Sequence, residues 1–191
     1  MRVLALTNKG NPIIDIIAKT GCRVKSTENK IDPKFVRNNG FEFIVSYRYR
    51  HIISPEVIRE IDGKVINLHI SLLPWNRGAD PNLWSWLEKS PKGVTIHYVD
   101  EGIDTGDIIS QLEIKFNESI ETLKSSYEKL NEEILTLFKK QWPIIIKGKA
   151  NRQRQITRGT FHRLKDKECY LQLFEKNGWD TPVSSLIGKT L

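Results

Sequence analysis

The chain has 191 residues, 39% of them hydrophobic, and a net charge of +7 at neutral pH, enough for one domain with a core plus a short tail. No window approaches the roughly 20 apolar residues that cross a bilayer, and the apolar start, Met1 to Leu6, is too short for a signal peptide. Cys22 and Cys169 lie far apart and fit no metal spacing, which agrees better with a reducing cytoplasm than with a disulfide scaffold. Val3 to Leu6 is a short apolar run followed by Asn8-Lys9-Gly10-Asn11-Pro12: strand, turn and helix start, with Pro12 suited to the first helical turn. Ile13, Ile14, Ile16, Ile17 and Ala18 give a helical stripe that Gly21 ends, and Cys22-Arg23-Val24 forms a short strand. Asp32-Pro33 opens a second helix, closed by Asn38-Asn39-Gly40. Phe41 to Ser46 is a buried strand, Ser54-Pro55-Glu56 starts a third helix through Ile58, and Val65 to Leu68 is a further strand.

Pro81 to Leu87 reads as a helix carrying Trp84 and Trp86. Val94, Ile96 and Tyr98 alternate with Thr95 and His97, the period of a strand, and Ile108 to Ile114 is its antiparallel neighbour. Leu123, Tyr127, Leu130, Ile134, Leu137 and Phe138 follow helical spacing, so 120–142 is a long amphipathic helix that Trp142-Pro143 closes. Residues 147–159 read as loop and 160–191 as a tail folding back on the body. The division is thus a 1–146 body and a 147–191 extension. Short apolar strands alternating with helices predict an α/β fold, a Rossmann-like, doubly wound, mostly parallel sheet covered on both faces.

The basic residues concentrate late, in Lys147, Lys149, Arg152, Arg154, Arg158, Arg163, Lys165 and Lys167. Such charge serves a solvated surface, an anionic small molecule or, last because no binding motif accompanies it, a nucleic acid. The chemistry gathers elsewhere. Asn67 and His69 stand two apart at a strand end and share a face. Asp104 follows a second strand between Gly102 and Gly106, where the backbone bends tightly. Ligands of open parallel sheets sit beyond the carboxyl ends of the strands. Each residue alone has an ordinary structural role; the functional reading rests on their joint occurrence.

Asn67-Leu68-His69-Ile70-Ser71-Leu72-Leu73-Pro74, then Gly93-Val94-Thr95-Ile96-His97 and Asp100-Glu101-Gly102-Ile103-Asp104-Thr105-Gly106, resemble the 10-formyltetrahydrofolate-dependent formyltransferases. The resemblance runs from about residue 40 to residue 145 and implies the formyltransferase fold. It implies that Asn67 donates its amide to the oxyanion formed on the formyl group, worth typically about 3 to 4 kcal/mol of barrier. His69 then assists oxyanion and proton movement, worth about a hundred- to ten-thousand-fold, and Asp104 orients it. Neither a metal nor a covalent acyl-enzyme is implied, and Ser71 serves the turn by bonding backbone. Arg50, His51, Ile52 and Ile53 resemble the segment lining the folate pocket. The backbone of Val99, Asp100, Glu101, Gly102 and Ile103 resembles the loop that bonds the pterin.

Arg77 to Trp86, Gly159-Thr160-Phe161-His162-Arg163 and Gly178 to Pro182 are most like the nucleotide-sugar N-formyltransferase branch. A nucleotide-linked amino sugar is then the substrate, its diphosphate suiting basic side chains and its base an aromatic ring. Trp75, Arg77, Trp84, Phe161, His162 and Arg163 are the candidates for binding it, with core packing the other role open to the two tryptophans. Glycinamide ribonucleotide formylation in purine synthesis is the alternative, although the start lacks its Gly-rich phosphate loop. A non-catalytic basic nucleic-acid-binding domain is the second alternative. Residues 147–191 are too few for the β-barrel of the methionyl-tRNA enzymes. The region before Asn67 is shorter than this family shows, which predicts a missing or compressed element. Phe174 and Leu186 suit a homodimer contact.

Overall fold

The computed structural model describes residues 1–190. β1 (Arg2–Leu6), α1 (Pro12–Ala18), β2 (Arg23–Thr27), α2 (Pro33–Asn38), β3 (Phe43–Tyr47), α3 (Pro55–Glu60) and β4 (Val65–His69) follow one another without interruption. The three helices open alike, on a polar residue and then proline. The Asn11 side chain accepts from the Ile13 N–H and that of Asp32 from the Phe35 N–H, caps worth about 1 kcal/mol each. These helices have only 7, 6 and 6 residues, and the strand–helix alternation before Asn67 is complete. α3 passes the expected stop at Ile58 by two residues, and β3 lies slightly later than the run Phe41 to Ser46 suggested.

After β4 come β5 (Arg77–Gly78), α4 (Pro81–Leu87), β6 (Gly93–Tyr98), β7 (Ile108–Glu113), α5 (Leu123–Ile145) and β8 (Phe161–His162). The main sheet has the order β2-β1-β3-β4-β6-β7. Its first four strands are parallel, while β6 runs antiparallel to both β4 and β7. The chain therefore winds outward from β1 to β2 and back across to β3, as a doubly wound sheet does.

Strand alternation sorts the side chains onto two faces. Val3, Ala5, Phe43, Val45, Ile66, Leu68, Val94 and Ile96 pack with Ile13 and Ile17 of α1 and with Leu130, Ile134, Phe138 and Trp142 of α5. Leu4, Leu6, Ile44 and Val65 pack on the other face with Val36 of α2 and Val57 of α3. Asn67 and His69 continue the parity of Val65, and Thr95 and His97 oppose Val94 and Ile96, so all four polar side chains share the α2/α3 face.

α5 is capped by Thr122, whose side chain accepts from the Ser125 N–H. The helix does not stop at Trp142: it runs on to Ile145 with Pro143 inside. Proline removes one backbone donor there, but Trp142 and Ile145 are both buried against the sheet, and that burial outweighs one lost bond in the last turn. The chain then returns. Residue 153 bridges to Ile108, β8 pairs in parallel with β5, and Pro182 bridges to Thr122. Val183 and Leu186 close over Trp86, Leu87 and Leu123. The β5–β8 pair has no counterpart in the sequence reading. Both cysteines are free, and no helix of the described residues is long and apolar enough to cross a membrane.

Candidate active site

β4 and β6 set the centre. Their register places Asn67 opposite His97 and His69 opposite Thr95, on one face. Directly opposed antiparallel residues stand close enough for their side chains to meet. Beyond β4 the chain enters an irregular loop that Thr95 ties down: its hydroxyl donates to the Ser71 carbonyl (2.7 Å) and accepts from the Leu73 N–H (3.1 Å). The Ser71 hydroxyl donates to the Trp75 carbonyl at 2.7 Å, the turn-forming role read from the sequence.

Asp104 completes the group from the turn after β6. Its backbone is left-handed, φ +54°, a conformation that Asp tolerates better than most residues. Oδ1 accepts from Asn67 Nδ2 at 3.2 Å and lies 3.4 Å from His97 Nε2. Oδ2 accepts from the Gly78 N–H of β5 at 2.9 Å and lies 3.6 Å from His69 Nδ1. Burial penalises charge on this carboxylate. His69, His97 and the Gly78 N–H outweigh the penalty and hold it well below the usual carboxylate range.

The three sequence-read residues thus converge, and a fourth, His97, joins them. Its Nδ1 lies 2.7 Å from the Tyr98 carbonyl oxygen, which can only accept, so the hydrogen sits on Nδ1. In the neutral ring Nε2 is then bare and faces Asn67 Nδ2 at 3.3 Å, while in the imidazolium its N–H faces Asp104 Oδ1. Both amide hydrogens of Asn67 are accordingly engaged, one by Asp104 and one by His97, and an oxyanion would compete for one of them. The signal for His97 was the polar alternation of Thr95 and His97 in an otherwise buried strand; only the register with Asn67 assigns it a partner.

The candidate folate residues lie on two neighbouring loops. Val99 is pinned by its N–H to the Val65 carbonyl (2.9 Å). Asp100 accepts from the Gly102 N–H and the Thr105 hydroxyl, and Glu101 pairs with Arg59 of α3 at 3.3 Å. Ile52, 75% exposed, and Ile103, 43% exposed, are left uncovered, while Ile53 packs into the α2/α3 core. Arg50 is exposed, and His51 stands edge-on to Tyr49.

The candidate substrate residues separate into two groups. Trp84 is 3% exposed, with one face taken by His162 at 3.7 Å between ring centroids and 6° between planes. A base has no access to that face, which corrects the expectation that Trp84 stacks on the substrate. Trp75 and Arg77 are half-buried, and the buried Nε of Arg77 has no hydrogen-bond partner among the described residues. Phe161 and Arg163 are exposed. Two clefts lie away from Asp104. One of about 390 Å³ sits beyond β1 and β2, beside Thr7, Lys9 and Thr27; one of about 510 Å³ sits beside Trp84 and His162. Among the described residues, no group of three or more His, Cys, Asp and Glu side chains is placed to hold a metal ion.

An amide and two imidazoles on one sheet face, joined by an ionised carboxylate from the adjoining turn, suit acyl transfer to an amine. Comparison with known proteins agrees. The formyltransferase PseJ from Anoxybacillus kamchatkensis, solved with UDP-4,6-dideoxy-4-formamido-L-AltNAc and tetrahydrofolate, is 47% identical, with a TM-score of 0.95 and 100% of both chains covered. A bifunctional polymyxin resistance protein ArnA from Wigglesworthia glossinidia brevipalpis is 38% identical over 111 residues, 58% of this chain and 17% of that protein. A methionyl-tRNA formyltransferase from Bacillus thuringiensis is 36% identical over 115 residues, 60% of this chain and 36% of that protein. The chain therefore spans well under half the length of these two curated relatives. The formyl transferase family model matches residues 3–138, most of the chain and all of the converging side chains, and the chain belongs to that family.

Proposed function

We propose that the protein transfers a formyl group from 10-formyltetrahydrofolate to the amine of a nucleotide-linked amino sugar. The observation that carries this reading is the end-to-end likeness to PseJ, whose complex holds a UDP-formamido sugar and tetrahydrofolate. That likeness covers the whole chain, whereas the methionyl-tRNA formyltransferase from Bacillus thuringiensis matches 60% of it. The charge of the extension is also partly used internally: Lys167 pairs with Asp80 at 2.8 Å, and Arg152 lies over the Tyr98 ring. That weakens the nucleic-acid reading.

The residues present fit a folate. Ile52 and Ile103 offer an apolar covering on two loops, the second tied to α3 by the Arg59–Glu101 pair, and their exposure costs hydrophobic free energy that a flat ring would recover. When bound, 10-formyltetrahydrofolate supplies the formyl carbon that the amine attacks. An Asn67 N–H meets the negative charge developing on the formyl oxygen. The amine loses a proton as the C–N bond forms. His69 Nδ1, beside Asp104 Oδ2, holds that proton, the ionised carboxylate stabilises the imidazolium, and the proton would then pass to the folate nitrogen released as its bond to the formyl carbon breaks. Arg77, next to the Gly78 N–H that holds Asp104, is the cation placed to meet the substrate diphosphate. The free cysteines suit a cytoplasmic enzyme.

The test is a formylation screen with 10-formyltetrahydrofolate against nucleotide-linked amino sugars, glycinamide ribonucleotide and charged initiator tRNA, read by mass spectrometry. A formyl group gained only by a nucleotide-linked amino sugar supports the reading; one gained by either of the others rejects it.

A further inference from the structure

The proton on His69 is set from outside the group that Asp104 organises. His69 Nε2 lies 3.0 Å from the Asn76 carbonyl oxygen. A carbonyl only accepts, so Nε2 carries a hydrogen, and in the neutral imidazole Nδ1 is then the bare nitrogen facing Asp104. Asn76 is fully buried, with every polar group engaged. Its N–H donates to the Thr160 hydroxyl oxygen at 2.9 Å, its Nδ2 donates to Glu88 Oε2 at 2.9 Å, and its Oδ1 accepts from the Ser90 hydroxyl at 2.8 Å. The Thr160 hydroxyl in turn donates to the same Glu88 oxygen at 2.9 Å. The other Glu88 oxygen lies 2.9 Å from His162 Nε2.

The segment that supplies Thr160 is itself fixed to the same loop. The Arg77 N–H donates to the Thr160 carbonyl at 3.0 Å, and the Ala79 N–H to the His162 carbonyl at 2.9 Å. Gly159 is packed so tightly that a Cβ would overlap the Pro74 carbonyl oxygen. One short stretch of the C-terminal extension therefore grips residues 74–79, the loop that presents the Asn76 carbonyl to His69 and the Gly78 N–H to Asp104. A polar cluster this fully paired specifies one arrangement, because any displaced member leaves a buried group unsatisfied.

We infer that Glu88 and Thr160 are positioning residues that fix the tautomer of His69 through Asn76, which makes the 159–162 segment part of the formyl-transfer apparatus. The inference rests on the proposed function only for its kinetic consequence. The hydroxyl matters and the methyl group does not: Thr160→Val removes the relay at almost constant volume, and Thr160→Ser restores it. Glu88→Gln keeps an oxygen toward Asn76 and Thr160, whereas Glu88→Leu does not.

The experiment uses the full chain. Long-range proton–nitrogen correlation spectra of its four histidines report which ring nitrogen of His69 is protonated. The expected result is the Nε2–H form in the wild type, Thr160→Ser and Glu88→Gln, and a mixture with the Nδ1–H form in Thr160→Val and Glu88→Leu. In steady-state formylation the latter pair lose about 10- to 100-fold in kcat with KM nearly unchanged, as a misplaced catalytic group would cause. An unchanged His69 tautomer in folded Thr160→Val or Glu88→Leu, or a loss confined to KM, overturns the inference. If a variant proves less stable, its spectrum and kcat are taken below its unfolding temperature. The spectra need no substrate, so a chain that formylates nothing yet shows the tautomer change rejects the proposed function and leaves this inference standing.

Discussion

Asn67 donates a hydrogen bond to Asp104 across 3.2 Å, although the two stand 37 positions apart in the chain. That bond locks the amide's orientation, since a carboxylate accepts only from the nitrogen end. It also means that the group read as the oxyanion donor arrives already bound to the group read as the charge stabiliser. Change at either residue should therefore disturb both.

Asp104→Asn replaces the acceptor of Asn67 and of the Gly78 N–H by an amide with half the accepting capacity and no charge. We expect kcat to fall about 10²- to 10⁴-fold, the range of lost acid–base assistance, with smaller changes in KM. Steady-state kinetics with both substrates varied checks this. A change mainly in KM for the sugar would instead make Asp104 a substrate contact.

Asn67→Ala removes the amide and leaves the Asp104–His69 contact in place. The expected loss is about 10²- to 10³-fold in kcat, the usual effect of one oxyanion donor. Because His97 Nε2 then loses its donor as well, a His97→Ala, Asn67→Ala pair should be strongly non-additive in a double-mutant cycle.

Asp104 also gives the protein a defined acid sensitivity. Its carboxyl is held below the ordinary aspartate value of 3.8, so the folded chain binds fewer protons than the unfolded chain as pH falls past that value. The stability it contributes is fully present above pH 5 and is lost progressively below about pH 4. In urea titrations, Asp104→Asn should show a shallower fall in stability than the wild type between about pH 4 and pH 2. Parallel curves would contradict the depressed value.

Gly159→Ala forces a methyl group onto the Pro74 carbonyl oxygen. Overpacking of this kind costs about 1 to 3 kcal/mol, or roughly 2 to 12 °C in Tm for a chain of this size. Calorimetry checks this. An unchanged Tm would show that the extension does not grip the loop as described.

Most of the fold could be read before the structure because short-range physics determined it. The Asn-Pro, Asp-Pro and Ser-Pro starts open α1 to α3, and period-two alternation marks β6, where Thr95 and His97 face away from Val94 and Ile96. Asn67, His69 and Asp104 were legible through their strings, and β4–β6 pairing brings them together. What sequence could not show depends on distant partners. β5 and β8 are two residues each and exist because Arg77–Gly78 meets Phe161–His162, a pairing with no periodic signature. Pro143 looks like a helix end locally, and only the burial of Trp142 and Ile145 carries α5 past it. Trp84 reads from sequence as a core residue or as a stacking surface, and only the distant His162 against its ring decides for the core.

The most direct measurement is the turnover of a UDP-linked amino sugar with 10-formyltetrahydrofolate by the wild type and by His69→Asn, with product followed by mass spectrometry. The account predicts a formylated sugar nucleotide from the wild type and a variant at least about a hundredfold slower in kcat, because the asparagine cannot hold the proton beside Asp104. Turnover by the variant within a few-fold of the wild type would contradict it.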